Sequence, residues 1–248
     1  DVPDDVPANV PDPCKSFGTW TADDRRDMVG IPLQVYPHDG VPASCDALLS
    51  NRSANTDVLV VRHAEACIPG VGNCEADNAN RAYFQSSNCL PAANSYPTYQ
   101  IATAGFTLQQ RDCATAAVKR RFVQHIYYVR DFSTTAGDGI ATLVRSSFDF
   151  GDHDGNAGTA NVLAQLPPTP LVEGIEAFRV ELGLDTLSRS GAAVDYTTAV
   201  TWSAPPLQSN PLNRGDGNVD GEYVRCTTAT PCTAAQLRCA VWSGAALS

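Results

Sequence analysis

Three short stretches carry residue types whose spacing could do chemistry. In VLVVRHAEA (58–66), four apolar residues run into Arg62, His63 and then Glu65. A strand ending this way could present a nucleophilic His beside an Arg that grips a phosphate. GDHDG (151–155) offers a second His next to an acid. In DGNVDG (216–221), Asp216, Asn218 and Asp220 alternate and Glu222 follows. Oxygen ligands at alternate positions of a tight turn are what calcium requires.

Each reading meets a limit. Arg-His-x-Glu is close to the signature of the histidine phosphatases, but Ala64 stands where that signature has Gly. The chemistry also needs a second His, a further Arg and an alternating strand-helix scaffold. The chain has four His: His38, His63, His125 and His153. His125 falls within an expected strand and His153 in a Gly-rich loop, so no enzyme is expected. The EF-hand form of the calcium loop needs Glu at its twelfth position, and Thr227 stands there. Acids from DHDGN (152–156) could still contribute, or the turn could be closed by its own side-chain to backbone bonds. The RGD at 214–216 is a chance-level tripeptide in a Gly/Asp loop.

Any such residues must be positioned by a chain of 248 residues, enough to bury a substantial core. Seventeen basic against 27 acidic residues give a net charge of −10. The longest basic run is KRR at 119–121, read as a solvated patch, so nucleic acid is not an expected partner. Nine cysteines without a C-x2-C pair point to disulfides and an oxidising compartment rather than to zinc. No apolar run approaches the ~20 residues that cross a bilayer. The opening DVPDDVPANVPDP (1–13) reads as an exposed, extended, acidic lead-in, with a signal already removed.

Strands dominate the patterning. DVLVVRH (57–63), RFVQHIYYVRD (121–131) and GIATLVRSSFDF (139–150) are β-branched and aromatic, and FSTTAGDG joins the last two as a hairpin. EAFRVELGLD (176–185) alternates like a half-buried antiparallel strand. Helical signals are confined to 115–121, 195–200 and 233–238, the last capped by Thr233. Gly, Asn, Pro and Ser fill the loops 67–98, 151–170 and 203–222, and AQLPPTPL is expected to be extended. The sum is α+β: one domain over 1–248, dominated by antiparallel sheet with elaborated loops.

Short, turn-rich loops favour Cys67 with Cys74 and Cys226 with Cys232. Cys89 with Cys113 and Cys14 with Cys45 complete one of the 105 pairings that eight cysteines allow. Cys239 is then left over.

The downstream text resembles the PilW family of type IV pilus minor pilins. The blocks are TDVLVVRHAEACIPGVGNC with RAYFQSSNCL, QHIYYVRD with GIATLVRSSF, PLVEGIEAFRVELGLDT, and NRGDGNVDGEYVRC leading to TAAQLRCAV. They stand in the family's order over roughly residues 45–241. The resemblance implies a pilin-like head and an apolar N-terminal helix that anchors the subunit in the inner membrane. It implies partners among other minor pilins, the major pilin and a PilY-type tip adhesin. The expected location is the pilus tip at the bacterial surface, reached through the inner membrane and periplasm. GspJ-like pseudopilins of type II secretion are the nearest alternative, and a calcium-binding secreted module is another. Two departures stand out: the helix is missing from this text, and WSGAALS does not continue the apolar strand expected after LRCAV.

Overall fold

The computed structural model describes residues 7–87, 89, 99–154, 156, 158–198, 200–201 and 211–241. Its elements in chain order are α1 (Ala22–Gly30), β1 (Leu33–Pro37), β2 (Asp57–Ala64), β3 (Tyr83–Ser86), β4 (Tyr99–Ala102), β5 (Lys119–Arg130), β6 (Thr142–Gly151), β7 (Val162–Gln165), β8 (Thr169–Glu173), β9 (Leu182–Leu184), β10 (Glu222–Val224), α2 (Ala234–Arg238) and β11 (Ala240–Val241).

Eight strands form one antiparallel sheet that curls into a half-barrel. The twelve-residue β5 is its spine: β2 lies on one side, and β6 and β3 share the other. β1 extends the sheet beyond β2, β4 beyond β3, and β7 and β8 pair with β6. Side chains alternate across a strand, so β5 sends Phe122, Gln124, Ile126 and Tyr128 to one face and Val123, His125 and Tyr127 to the other. The β5–β6 hairpin forms as its sequence indicates. Its loop is closed by Asp138, whose carboxylate accepts the N–H groups of Ser133, Thr134, Thr135 and Ile140. Those bonds, the one from Ile140 first, pull the Asp138 carboxyl down to about 2.

Two clusters fill the inner face. Trp20 stacks on Phe148 at 5.1 Å and meets Phe122 edge-on at 5.8 Å, with Met28 of α1 packed beside them. Val58, Val60, Ile126 and Val144 enclose the Cys45 and Leu49 side chains. On the opposite face, Val35 packs with Ile31 against Leu182, Leu184, Cys226 and Leu237, where a three-stranded sheet, β10–β9–β11, and α2 cover β1.

Between the two inner clusters runs a row of buried polar side chains. Gln34, Arg62, Gln124, Ser146 and Gln165 are each less than 5% exposed. Gln34 donates to the Pro11 carbonyl at 2.8 Å and Gln124 to the Pro13 carbonyl at 2.7 Å. Arg62 Nε donates to Gln124 Oε1 at 2.6 Å, and Gln165 donates to the Ser146 carbonyl. The row exists because an extended, proline-rich segment lies on it. Proline lacks the N–H to join the sheet, and side-chain amides reach its carbonyls instead. The Cys14–Cys45 bridge locks this segment down.

Several expectations are corrected. Pro11 and Pro13 are buried, so the described part of the lead-in is a strap rather than an exposed tail. Residues 115–121 are not helical: β5 begins at Lys119, and the charges that resemble a solvated patch are engaged. Lys119 pairs with Asp77, Arg121 with Asp149, and Arg120 donates to the Ala66 carbonyl. Residues 195–198 form a turn, where Asp195 accepts the Thr197 N–H. Only Leu182–Leu184 of 176–185 joins a ladder. Phe178 and Val180 instead exchange single hydrogen bonds with Asp57. The expected loops 67–98 and 151–170 contain β3, β7 and the start of β8. The helix at Ala234–Arg238 forms with the expected Thr233 cap, Gln236 completing a capping box. Residues 1–6 and the terminal WSGAALS lie outside the described residues.

Candidate functional site

Arg62 and His63 are adjacent on β2 and therefore point to opposite faces. Arg62 is buried on the inner face, donating to Gln124 and to the Ile31 carbonyl. Burial drives its guanidinium down to about 9, against the opposing pull of Tyr36 and Asp12. His63 is exposed on the outer face beside His125, their rings 6.4 Å apart. His125 is pushed down to about 4, by burial first and then by the charges of Arg145, His63 and Arg121. His153 follows β6 and lies at the wall of the cleft described below. The structure does not bring Arg62, His63 and His153 around one phosphate.

The acidic turn is closed on itself and on the small sheet. Asp216 Oδ1 accepts the Asn218 N–H at 3.0 Å, and Asp220 Oδ2 accepts the Thr186 and Leu187 N–H groups at 2.8 and 2.7 Å. Glu222 opens β10 and is exposed. A fourth acid, Asp185, is buried beneath the turn and accepts the Gly217 and Asp216 N–H groups. A side chain on Gly215 would run into that carboxylate. Burial raises the Asp185 pKa, and the nearby Asp216 and Asp220 charges add to the rise. Among the described residues, the group of three ligand-type side chains that converges closely is Asp12 with Cys14 and Cys45, and those sulfurs are bonded to each other.

The bridges join Cys67 to Cys74, Cys226 to Cys232, Cys89 to Cys113 and Cys14 to Cys45, and Cys239 is a half-buried free thiol. These are the partners expected from the sequence. An ion network backs the Cys67–Cys74 loop: Arg81 pairs with Glu75 and Asp149, and Arg121 with Asp149.

A site that the sequence does not announce lies where the strap meets the far end of the inner face. A cleft of about 570 Å³ opens between the Cys14–Cys45 bridge, residues 44–50 and the β7–β8 turn. Its walls include Tyr128, Arg130, Phe132, His153, Pro167 and Pro168. Arg130 is spent locally: it donates to the Phe132 and Ser133 carbonyls and stacks on the Phe132 ring at 3.9 Å. The Tyr128 hydroxyl and His153 Nδ1 are buried with no hydrogen-bond partner among the described residues. Burial pushes the Tyr128 phenol up to about 12, so it is a neutral hydroxyl at any ordinary pH. These residues come from segments far apart in the chain. The one local signal is YYVRD, where a tyrosine facing the core precedes an arginine.

Fold and bridges together define a class: an antiparallel, β-rich, disulfide-bonded domain of an extracytoplasmic compartment. No helix among the described residues is long and apolar enough to cross a membrane. Comparison with family models, with curated proteins and with solved structures finds no match to this chain.

Proposed function

We propose that the chain is the head of a PilW-like minor pilin, a structural subunit that supports pilus assembly and presentation of a tip adhesin. One observation carries this reading: the sequence blocks that resemble the family supply the framework of the molecule. TDVLVVRHA is β2, QHIYYVRD and the following LVRSSF form the β5–β6 hairpin, ELGLD contains β9, and GEYVRC with TAAQLR supplies β10 and α2. The strap agrees with it, since a segment that follows an anchoring helix must be fixed to the head, and Cys14–Cys45 fixes it.

The partners in this reading are other minor pilins, the major pilin and a PilY-type adhesin. β8 suits such contacts. Among the described residues it pairs only with β6, its five residues are exposed, and Leu171 and Val172 offer apolar side chains beside its other edge. Holding heads together through membrane helices raises effective concentration and strengthens weak contacts by roughly 10² to 10⁴. Co-purification of the chain with and without an apolar N-terminal helix, alongside the neighbouring minor pilins, tests the proposal. Firm capture should require the helix. Equal capture without it, or a functional homo-oligomer of the bare head, would sink the reading; a GspJ-like pseudopilin would instead capture secretion pseudopilins.

A calcium-binding surface module is the second reading, favoured by the proximity of Asp185, Asp216 and Asp220. Calcium on Asp216, Asn218, Asp220 and Glu222 would offset that repulsion and raise the melting temperature. A melting temperature that is the same in chelator and in millimolar calcium sets it aside.

A further inference from the structure

We propose that the hollow where the ends of β2 and β3 meet the start of β5 binds an amphiphilic oxyanion, a carboxylate or phosphate carried on an alkyl chain, held by the Arg111 and Arg120 guanidiniums. Its volume, about 400 Å³, is that of a small-molecule site. Its polar walls include Arg111, Arg120 and Ser86, and its apolar walls Ala64, Phe84 and Val118. No acid lines it among the described residues.

These two cations are available to a ligand, whereas other arginines of the molecule answer acids. Arg81 and Arg121 pair with Asp149, and Arg52 with Asp46. Arg111 is exposed, and its guanidinium has no hydrogen bond or ion pair among the described residues. Arg120 is half-buried and commits Nη1 to the Glu65 and Ala66 carbonyls, which leaves Nε and Nη2 without a partner among the described residues. Asp112, next to Arg111 in sequence, is turned into its own loop, where it accepts the Ala114 and Thr115 N–H groups. The chain between β3 and β4, residues 87–98, contains no acid. The backbone that carries Arg111 is already fixed. Cys89–Cys113 staples it, Ser87 Oγ donates to the Gln109 carbonyl, and the Gln110 N–H donates to the Thr115 carbonyl, so binding orders little main chain.

Two guanidiniums at one hollow suit an oxyanion, because each presents a planar fork of N–H donors to paired oxygens. A bare anion would fill only part of the volume and leave Val118, 48% exposed, in water. An alkyl chain on the same anion covers Val118 and Phe84 and removes apolar surface from water. A neutral alcohol forgoes the guanidiniums, and a cation is repelled by them. The hollow would do this whether or not the chain is a minor pilin.

The test titrates the intact disulfide-bonded protein, followed by NMR, with octanoate and octyl phosphate below the concentrations at which they form micelles. Octanol serves as the control for the tail, and acetate and inorganic phosphate as controls for the head. At least one of the two amphiphiles should bind in the millimolar range or tighter, and the stronger of them identifies the preferred head. Octanol, acetate and inorganic phosphate should each bind markedly more weakly. Arg111→Gln should weaken the amphiphile about 5-fold. It should leave the melting temperature of the ligand-free protein unchanged, since no described partner is lost. Arg111→Glu should remove detectable binding, and added salt should weaken binding to the parent. An arginine that is merely solvated would leave the affinity unchanged in both variants. The proposal is overturned if neither amphiphile binds, if octanol or a bare anion binds as tightly, or if both Arg111 variants bind like the parent.

Discussion

The two ends of the inner face handle buried polar groups in opposite ways. At the strap end, Gln34 and Gln124 sit in the core because the chain itself supplies their partners, the Pro11 and Pro13 carbonyls. What remains there among the described residues is one acceptor, Gln34 Oε1, and one donor, Arg62 Nη2. At the cleft end, the Tyr128 hydroxyl and His153 Nδ1 also lack partners among the described residues, in side chains that line about 570 Å³ of open volume. Buried polarity answered by the chain is architecture. Buried polarity left unanswered is a local cost to the fold.

The comparison can be broken most forcefully at the bridge that holds the strap. Replacing Cys14 and Cys45 by Ser opens a 31-residue separation and should cost about 4 kcal/mol on loop entropy. Chemical denaturation of the oxidised protein and its double variant measures this. Gln124→Leu comes next. It strands Arg62 Nε and the Pro13 carbonyl, and the expected loss is about 3 kcal/mol, read as a lowered denaturation midpoint. Opening Cys67–Cys74, only seven residues apart, should cost about 2 kcal/mol. A larger loss there than at Cys14–Cys45 would mean that the strap does not organise the core.

The framework was legible because it rests on local signals. β5 and β6 are long, β-branched and aromatic, and the Asp138 loop between them carries its own glycines. Thr233 with Gln236 marks α2 by the same capping pattern that Thr21 and Asp24 place at α1; that second signal was there to be read. The misreadings share one cause, which is partners distant in sequence. KRR at 119–121 resembles a surface helix until Asp77 and Asp149 are brought against it. β3 and β7 are four residues each, too short for periodicity to stand out among Gly and Asn. From Ala177 to Leu182 burial alternates, but Asp57 takes the Val180 N–H that a ladder would use. No local pattern assembles the cleft, whose walls meet only when the strap, the 44–50 segment and the β7–β8 turn close on β5.

The outer face supplies a smaller, pH-dependent contrast. His125 is neutral in both folded and unfolded chains above its ordinary value of 6.5, and its folded value is about 4. As pH falls from 6.5, the unfolded chain binds the proton first, so stability is lost between 6.5 and 4 and levels off below. His125→Gln should flatten that part of the stability profile while leaving the neutral-pH value little changed. An unaltered slope would assign the pH dependence elsewhere.

The division between a closed end and an open end is tested most directly by one pair of melting curves. Gln124→Leu and Tyr128→Phe both remove a buried polar group from β5, four residues apart and on the same face. The expected result is opposite in sign: Gln124→Leu melts well below the parent, and Tyr128→Phe melts with it or above it. If both variants fall by the same amount, the Tyr128 hydroxyl is a structural group like the rest of the row, and the distinction between the two ends fails.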